Sequence, residues 1–161
     1  MSNILPTRPR SFAAKRNFAI IASQYNPKYV QGLVDHTCKE LYAMIPNAGI
    51  ALYQVPGAFE IPILLQEVAR RGSLDAIIAL GVIIEGETAH ARHIAATVTD
   101  AIMRISLESR IPVIHEVLSV RNEEQAEKRC LGEEINRGTE AARAAVQVAN
   151  VLADFKEKNA A

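Results

Sequence analysis

Leu80 to His93 reads Leu-Gly-Val-Ile-Ile-Glu-Gly-Glu-Thr-Ala-His-Ala-Arg-His. Its first residues complete the most hydrophobic run of the chain, Asp75 to Ile84, which has the continuous apolar character of a strand buried on both faces. Gly86 ends that run, and from about Ala89 to Ser109 the apolar residues Ala91, Ile94, Ala95, Val98, Ile102 and Ile105 recur at helical spacing. A buried strand that passes through a glycine turn into a helix N-terminus is one half of a β-α-β unit. It also presents unpaired backbone N–H groups and the positive end of a helix dipole to an anion.

The same alternation extends in both directions. Asn17 to Ser23 is a short apolar run followed by Asn26-Pro27, a helix start in which Asn26 is expected to cap and Pro27 to fit the first turn. Val30, Leu33, Val34, Thr37, Cys38, Leu41 and Ile45 then form one helical stripe. Gly49 to Val55 reads as the second strand, and a helix that tolerates Pro62 in its first turn and stops at Gly72 follows it. Ile111 to Leu118 reads as the fourth strand. Asn122 and Gln125 suggest a variant capping box for a short helix carrying Arg129, and residues Cys130 to Gly138 a polar connection. A last helix from about Thr139 to Glu157 turns Ala142, Ala145, Val148, Ala149, Leu152 and Phe155 inward. Alternating strands and helices predict an α/β fold, a three-layer α/β/α sandwich around a parallel sheet.

Composition narrows the function. The chain has 161 residues, 49% hydrophobic and 22% charged, enough for one domain with its own core. Lys plus Arg and Asp plus Glu number 18 each, so no overall field favours nucleic acid or an anionic membrane, and anion recognition has to be local. Cys38 and Cys130 lack CxxC spacing, which fits a reducing compartment and gives no zinc or disulfide framework. No apolar run reaches the roughly 18 residues of a membrane span. Residues 1–16 carry Arg8, Arg10, Lys15 and Arg16 and no acid, but Pro6 and Pro9 interrupt any amphipathic helix. An extended or disordered arm is therefore expected rather than a targeting signal, with residues 17–158 as the domain and 159–161 as a tail.

In parallel α/β sheets ligands sit outside the carboxyl ends of the strands. Tyr25, Gly57 to Glu60 and Gly86 to His90 all follow strand ends, and His115 lies in the fourth strand. Each has a bland reading. Gly86-Glu87-Thr88 is a weak pattern that could be a turn with an N-cap, Pro56 to Glu60 could be a turn with a core Phe59, and Tyr25 could be a rim aromatic. His90 and His93 share a helical face, but no third ligand stands at matching spacing, so acid–base work by His90 is weighed against a structural histidine rather than a metal site. His90 is preferred because it is nearer the helix N-terminus. Thr88 and Arg129 are the candidate partners of a phosphate. His115 and Glu116 interrupt an apolar strand and need partners, within the site or among neighbours.

Val55 to Pro62, Leu80 to His90, and Asn122 to Ala126 leading to Arg129 resemble the 6,7-dimethyl-8-ribityllumazine synthases, the penultimate enzymes of riboflavin synthesis. The resemblance covers essentially everything after the arm. It implies a flavodoxin-like fold with a four-stranded parallel sheet ordered 2-1-3-4. The implied reaction condenses 5-amino-6-(D-ribitylamino)uracil with 3,4-dihydroxy-2-butanone 4-phosphate, without metal or organic cofactor. Carried over by position, Tyr25 stacks on the pyrimidine, while Ala58, Phe59, Glu60, Val82, Ile83 and Ile84 bind the uracil and the ribityl chain. Glu87 and Thr88 supply backbone donors to the phosphate, Arg129 pairs with it, and His90 moves protons. His115 lines the pocket, as a residue lent to a neighbour's site. The resemblance further implies a cytoplasmic homo-oligomer built from pentamers; a pentamer, a decamer and a 60-subunit icosahedral capsid all stay open. His115, Glu116 and Glu85 depart from the commoner residues at their positions, and Arg137 stands where Lys is frequent. A non-catalytic flavin or lumazine binder on the same fold is the competing reading, separated by its failure to make the product. A flavodoxin-type electron carrier fits less well, for want of tryptophan and of a Ser/Thr-rich loop after the first strand.

Overall fold

The computed structural model describes residues 4–10 and 15–160. Strands β1 (Asn17–Ser23), β2 (Gly49–Val55), β3 (Ala76–Ile84) and β4 (Val113–Val120) alternate with helices α1 (Pro27–Met44), α2 (Ile61–Arg70), α3 (His90–Ser109), α4 (Glu123–Cys130) and α5 (Arg137–Ala160), and a 3-10 turn at Ala58–Glu60 leads into α2. The strands form one sheet, all pairs parallel, in the order β2-β1-β3-β4 that the resemblance implied.

Alternation along each strand divides the core. Phe18, Ile20, Ile78 and Leu80 point to the layer made by α1, α4 and α5, whereas Ala19, Ile21, Ile77 and Ala79 point to α2 and α3. β1 and β3 lie inside the sheet and are buried on both faces, which is why they read as unbroken apolar runs. On α5, Ala141, Ala142, Ala145 and Val146 meet α1 and the sheet, and Ala149 continues the buried stripe. The approach is close: Gly138 O accepts a 3.1 Å hydrogen bond from Thr37 Oγ1 on α1.

Several expectations need correction. Asn26 does not cap α1 with its side chain; its backbone is left-handed (φ 57°, ψ 54°) and its Nδ2 donates to Val82 O at 2.8 Å. β4 runs from Val113 to Val120 rather than from Ile111 to Leu118. Pro112 stays outside it, its carbonyl accepting from Ile77 N, and Ser119 and Val120 continue the pairing to Ile83 and Ile84. Cys130 ends α4 and Arg137 begins α5, so the connection is shorter than read. Phe155 is 65% exposed rather than inward, because the buried stripe of α5 ends near Asn150. The capping box of α4 is a variant, as expected: Asn122 Oδ1 accepts from Gln125 N at 3.0 Å, and Gln125 Oε1 accepts from Arg121 N at 3.1 Å.

Residues 1–3 and 11–14 of the expected arm lie outside the described residues. Residues 4–10 form a strap without helix or strand across α1 and α5. Arg8 grips Glu40 through two bonds of 2.8 and 2.9 Å, and Arg143 Nε meets the same carboxylate at 2.7 Å. Arg143 also donates to Pro6 O, and Asn150 Nδ2 to Arg10 O. The carboxyl of Glu40 is held below the usual range, first by its bond to Arg8 and then by Arg143, against the opposing effect of burial.

Candidate active site

Three strand ends converge on one cavity of about 800 Å³. Gln24 N donates to Val55 O at 2.9 Å and Tyr25 N to Pro56 O at 3.2 Å, tying the loop after β1 to the loop after β2. The Asn26 bond to Val82 O ties the same loop to the end of β3. Gly57 N donates to Glu60 Oε2 at 2.8 Å, which folds the Gly57 to Glu60 segment back on itself. A Cβ on Gly57 would come within 2.9 Å of that carboxylate and 3.0 Å of the Tyr25 ring, so glycine is what lets the segment and the aromatic approach each other.

Tyr25 and Phe59 stand at the cavity 70% and 59% exposed, flat apolar surfaces held toward solvent on short loops. A soluble fold leaves two such rings uncovered where a planar ligand or another chain covers them. Val82, Ile83 and Ile84 supply the wall from β3, with Ala58 and Glu60 opposite. Beyond Gly86, Thr88 and His90 carry the lining onto α3, and Thr88 Oγ1 accepts from His90 N at 3.4 Å. Residues Glu85 to His90 are exposed; Glu85 N donates to Val120 O and His90 N to Thr88 Oγ1, and the Glu87 and Thr88 segment leads into the first turn of α3 at the open site. A Cβ on Gly86 would touch nothing within 4 Å and its backbone is not left-handed, so the fold of the chain itself does not demand glycine there.

The cavity therefore brings together Tyr25, Ala58, Phe59, Glu60, Val82, Ile83, Ile84, Thr88 and His90. It does not include Glu87, His115 or Arg129. Gly57, of the Gly57 to Glu60 segment, and His93, set behind His90, also line it, and Ser23, Asn26, Ala91, Ile94 and Thr97 do so without having been singled out as site residues. A signal for the α3 members was present, since His90, Ala91, His93, Ile94 and Thr97 share one helical face.

His115 lies on β4, hydrogen-bonded to Thr99 on α3 at 3.0 Å. Thr99 Oγ1 also lies 2.7 Å from Ala95 O, so the hydroxyl bridges the His115 ring and the helix backbone. Burial pushes the His115 pKa down, toward the neutral ring. Arg129, on α4, donates to Gln125 O at 3.2 Å and lines a second cavity of about 270 Å³ with Glu124, Gln125, Lys128, Ile135 and Arg137. Three cations against one carboxylate make that cavity suited to an anion. Both thiols are free; burial raises Cys38 and pushes Cys130 up to about 12, so neither is a ready nucleophile. Among the described residues no group of three or more His, Cys, Asp or Glu is placed to hold a metal ion, and no helix is long and apolar enough to cross a membrane.

The comparisons with known proteins agree with the motifs. A sequence profile described as 6,7-dimethyl-8-ribityllumazine synthase matches residues 15–153. Two proteins named 6,7-dimethyl-8-ribityllumazine synthase, from Xanthomonas euvesicatoria pv. vesicatoria (strain 85-10) and Xanthomonas axonopodis pv. citri (strain 306), are each 40% identical over 136 residues, covering 84% of this chain and 88% of the relative.

Proposed function

The chain belongs to the 6,7-dimethyl-8-ribityllumazine synthase family, and we propose how its residues share the condensation that gives the family its name. The reaction joins 5-amino-6-(D-ribitylamino)uracil to 3,4-dihydroxy-2-butanone 4-phosphate, forming 6,7-dimethyl-8-ribityllumazine with loss of phosphate and water. The observation that carries this reading is the meeting of the Tyr25, Ala58–Glu60 and Val82–Ile84 segments with the start of α3 around a single cavity.

In this reading Tyr25 stacks on the pyrimidine, and Ala58, Phe59, Glu60 and the β3 end hold the uracil and ribityl chain. An amine attacks the ketone, the imine loses phosphate and a second amine closes the ring. The protein's task is to hold two reactants in register and move protons between their nitrogens and oxygens. His90, in the first turn of α3 and at the cavity, is placed to be the shuttle. The amides of Glu87 and Thr88 and the guanidinium of Arg129 hold the departing phosphate.

Arg129 and His115 lie outside the cavity of their own chain, which supports a site completed by a second copy. A contact that sets the cavity of one subunit against the β4 and α4 flank of the next is heterologous, and repeated it closes a ring. We take that ring to be a pentamer, alone or as the unit of a decamer or a 60-subunit shell, made of chains whose residues 17–158 form the domain and 1–16 the arm. Two free thiols support a cytoplasmic location. The test mixes purified protein with both substrates and follows lumazine absorbance above the uncatalysed rate. Tight binding of the lumazine without its formation would instead identify a carrier or shell protein.

A further inference from the structure

The face of β4 opposite His115 carries a charge cluster that the scheme above leaves idle. Glu116 pairs in register with Leu80, whose side chain belongs to the α1, α4 and α5 layer, and it shares that layer with Cys130, Arg137 and Glu140. Arg137 Nη1 donates to Glu140 Oε2, and the two side chains are only 8% and 12% exposed. Glu140 Oε1 is buried without a hydrogen-bond partner. Arg137 also lines the small cavity with Lys128 and Arg129. Arg137 thus belongs both to a charge cluster with Glu140 and Glu116 and to the lining of an anion-sized cavity.

We propose that Glu116 is a positioning residue that sets the anion affinity of the Arg129 cavity by competing, through its own charge, for Arg137. This rests on reading that cavity as the phosphate side of the site. With Glu116 neutral, Arg137 keeps its ion pair with Glu140 and no charge from Glu116 is added, so the positive potential of Arg129 and Lys128 is not lowered from that side. With Glu116 ionised, a second negative charge in a poorly solvated layer draws on Arg137 and lowers the potential that an incoming anion meets.

The switch falls in the working range. Burial pushes the Glu116 carboxyl up to about 7, with Glu140 adding to the rise and Arg137 opposing it. Anion affinity is therefore highest below pH 7 and falls as the pH passes through that value. Reciprocally, a bound anion raises the carboxyl further, so binding near pH 7 takes up protons. The other groups around the cluster do not supply this dependence. Cys130 at about 12 stays neutral. Glu140 is ion-paired, Glu124 lies at the cavity rim, and β3 brings only apolar neighbours. His36, beside Gly138 on α1, and His115 on the far face remain in any variant of Glu116.

Sulfate is the probe, because it stays a dianion from pH 6 to 8.5. Calorimetric titration of the wild-type protein is expected to show affinity falling about three- to tenfold over that range. In buffers of different ionisation enthalpy, binding near pH 7 is accompanied by net proton uptake. Glu116→Gln, the same shape as the neutral acid, keeps the low-pH affinity throughout and loses the uptake. Arg129→Ala removes sulfate binding at every pH. A wild-type pH profile in Glu116→Gln, or wild-type binding without proton uptake at pH 7, overturns the proposal while leaving the cavity's assignment intact. Sulfate binding that ignores Arg129 overturns that assignment, and the proposal with it.

Discussion

Gly138→Ala places one methyl group where the structure has no room for it. The new Cβ would lie 2.3 Å from Leu33 O on α1 and 3.1 Å from both Asn136 Oδ1 and His36 Cβ. The nearest obstacle is backbone within a helix, not the tip of a side chain, so relief requires α1 and α5 to part by about 1 Å at their closest approach. Overpacking of this kind costs roughly 1–3 kcal/mol. The separation also strains the Thr37 hydroxyl bond to Gly138 O and the Asn136 network, in which Oδ1 accepts from Gly138 N and Nδ2 donates to Cys130 O and Gly132 O. Losing one such bond adds about 1 kcal/mol. Alanine's better helix propensity returns at most about 1 kcal/mol, less near a helix start. The net destabilisation is about 2–3 kcal/mol, which for a domain of this size lowers Tm by roughly 5–10 °C. Thermal unfolding followed by circular dichroism at a fixed subunit concentration measures it, the concentration being held because association raises the apparent Tm. A Gly138→Ala melt within about 1 °C of wild type would refute the argument that this contact is rigid.

Gly86→Ala is the converse: with open space around the new methyl and no left-handed backbone, its Tm is expected to match wild type, while the KM for the phosphate substrate rises if that turn approaches the phosphate. An unchanged KM would remove the turn from the phosphate site. Glu40→Gln loosens the strap, so tryptic cleavage after Arg10 at neutral pH is expected to run on the order of tenfold faster than in wild type. Because the folded Glu40 pKa is depressed, the wild-type strap is secure above about pH 4.3 and released as the pH falls through the lower folded value, and proteolysis by an acid protease over that range checks the sign. Replacing His90 with alanine is expected to slow turnover by roughly tens- to a few hundredfold, and Arg129→Ala to act chiefly on the KM for the butanone phosphate; steady-state kinetics with wild-type values in both variants would sink the assigned roles.

The sheet was legible because its inner strands have no solvent face. β1 and β3 are apolar at nearly every position, and the helices between them keep a strict stripe, so alternation alone dictated a parallel sheet. The edge was harder. β4 alternates buried and exposed residues at its far end, Val117 and Leu118 then Ser119 then Val120, and a reading that followed only the apolar run stopped two residues early. Asn26 misled for a different reason: asparagine before proline suits a helix cap, but it also tolerates a left-handed backbone, and the carbonyl that captures its amide lies 56 positions away in sequence. The cavity was foreseeable wherever lining residues follow strand ends. Ile94 and Thr97 carry no chemical signal of their own beyond sharing the helical face of His90 and His93, of which His90 was preferred as nearer the helix N-terminus. The positions of His115 and Arg129 on another flank depend on strand order and on packing between layers, which local patterns do not encode.

The bond from Asn26 to Val82 O has a consequence for exchange at position 26. Only asparagine and glycine, with aspartate in their wake, adopt the backbone of position 26 at little cost. Glycine keeps the loop's path but removes the link to β3; aspartate keeps the path and sets a carboxylate against a carbonyl. The loop's path and its tie to the end of β3 therefore rest on one residue and can be separated by exchanging it.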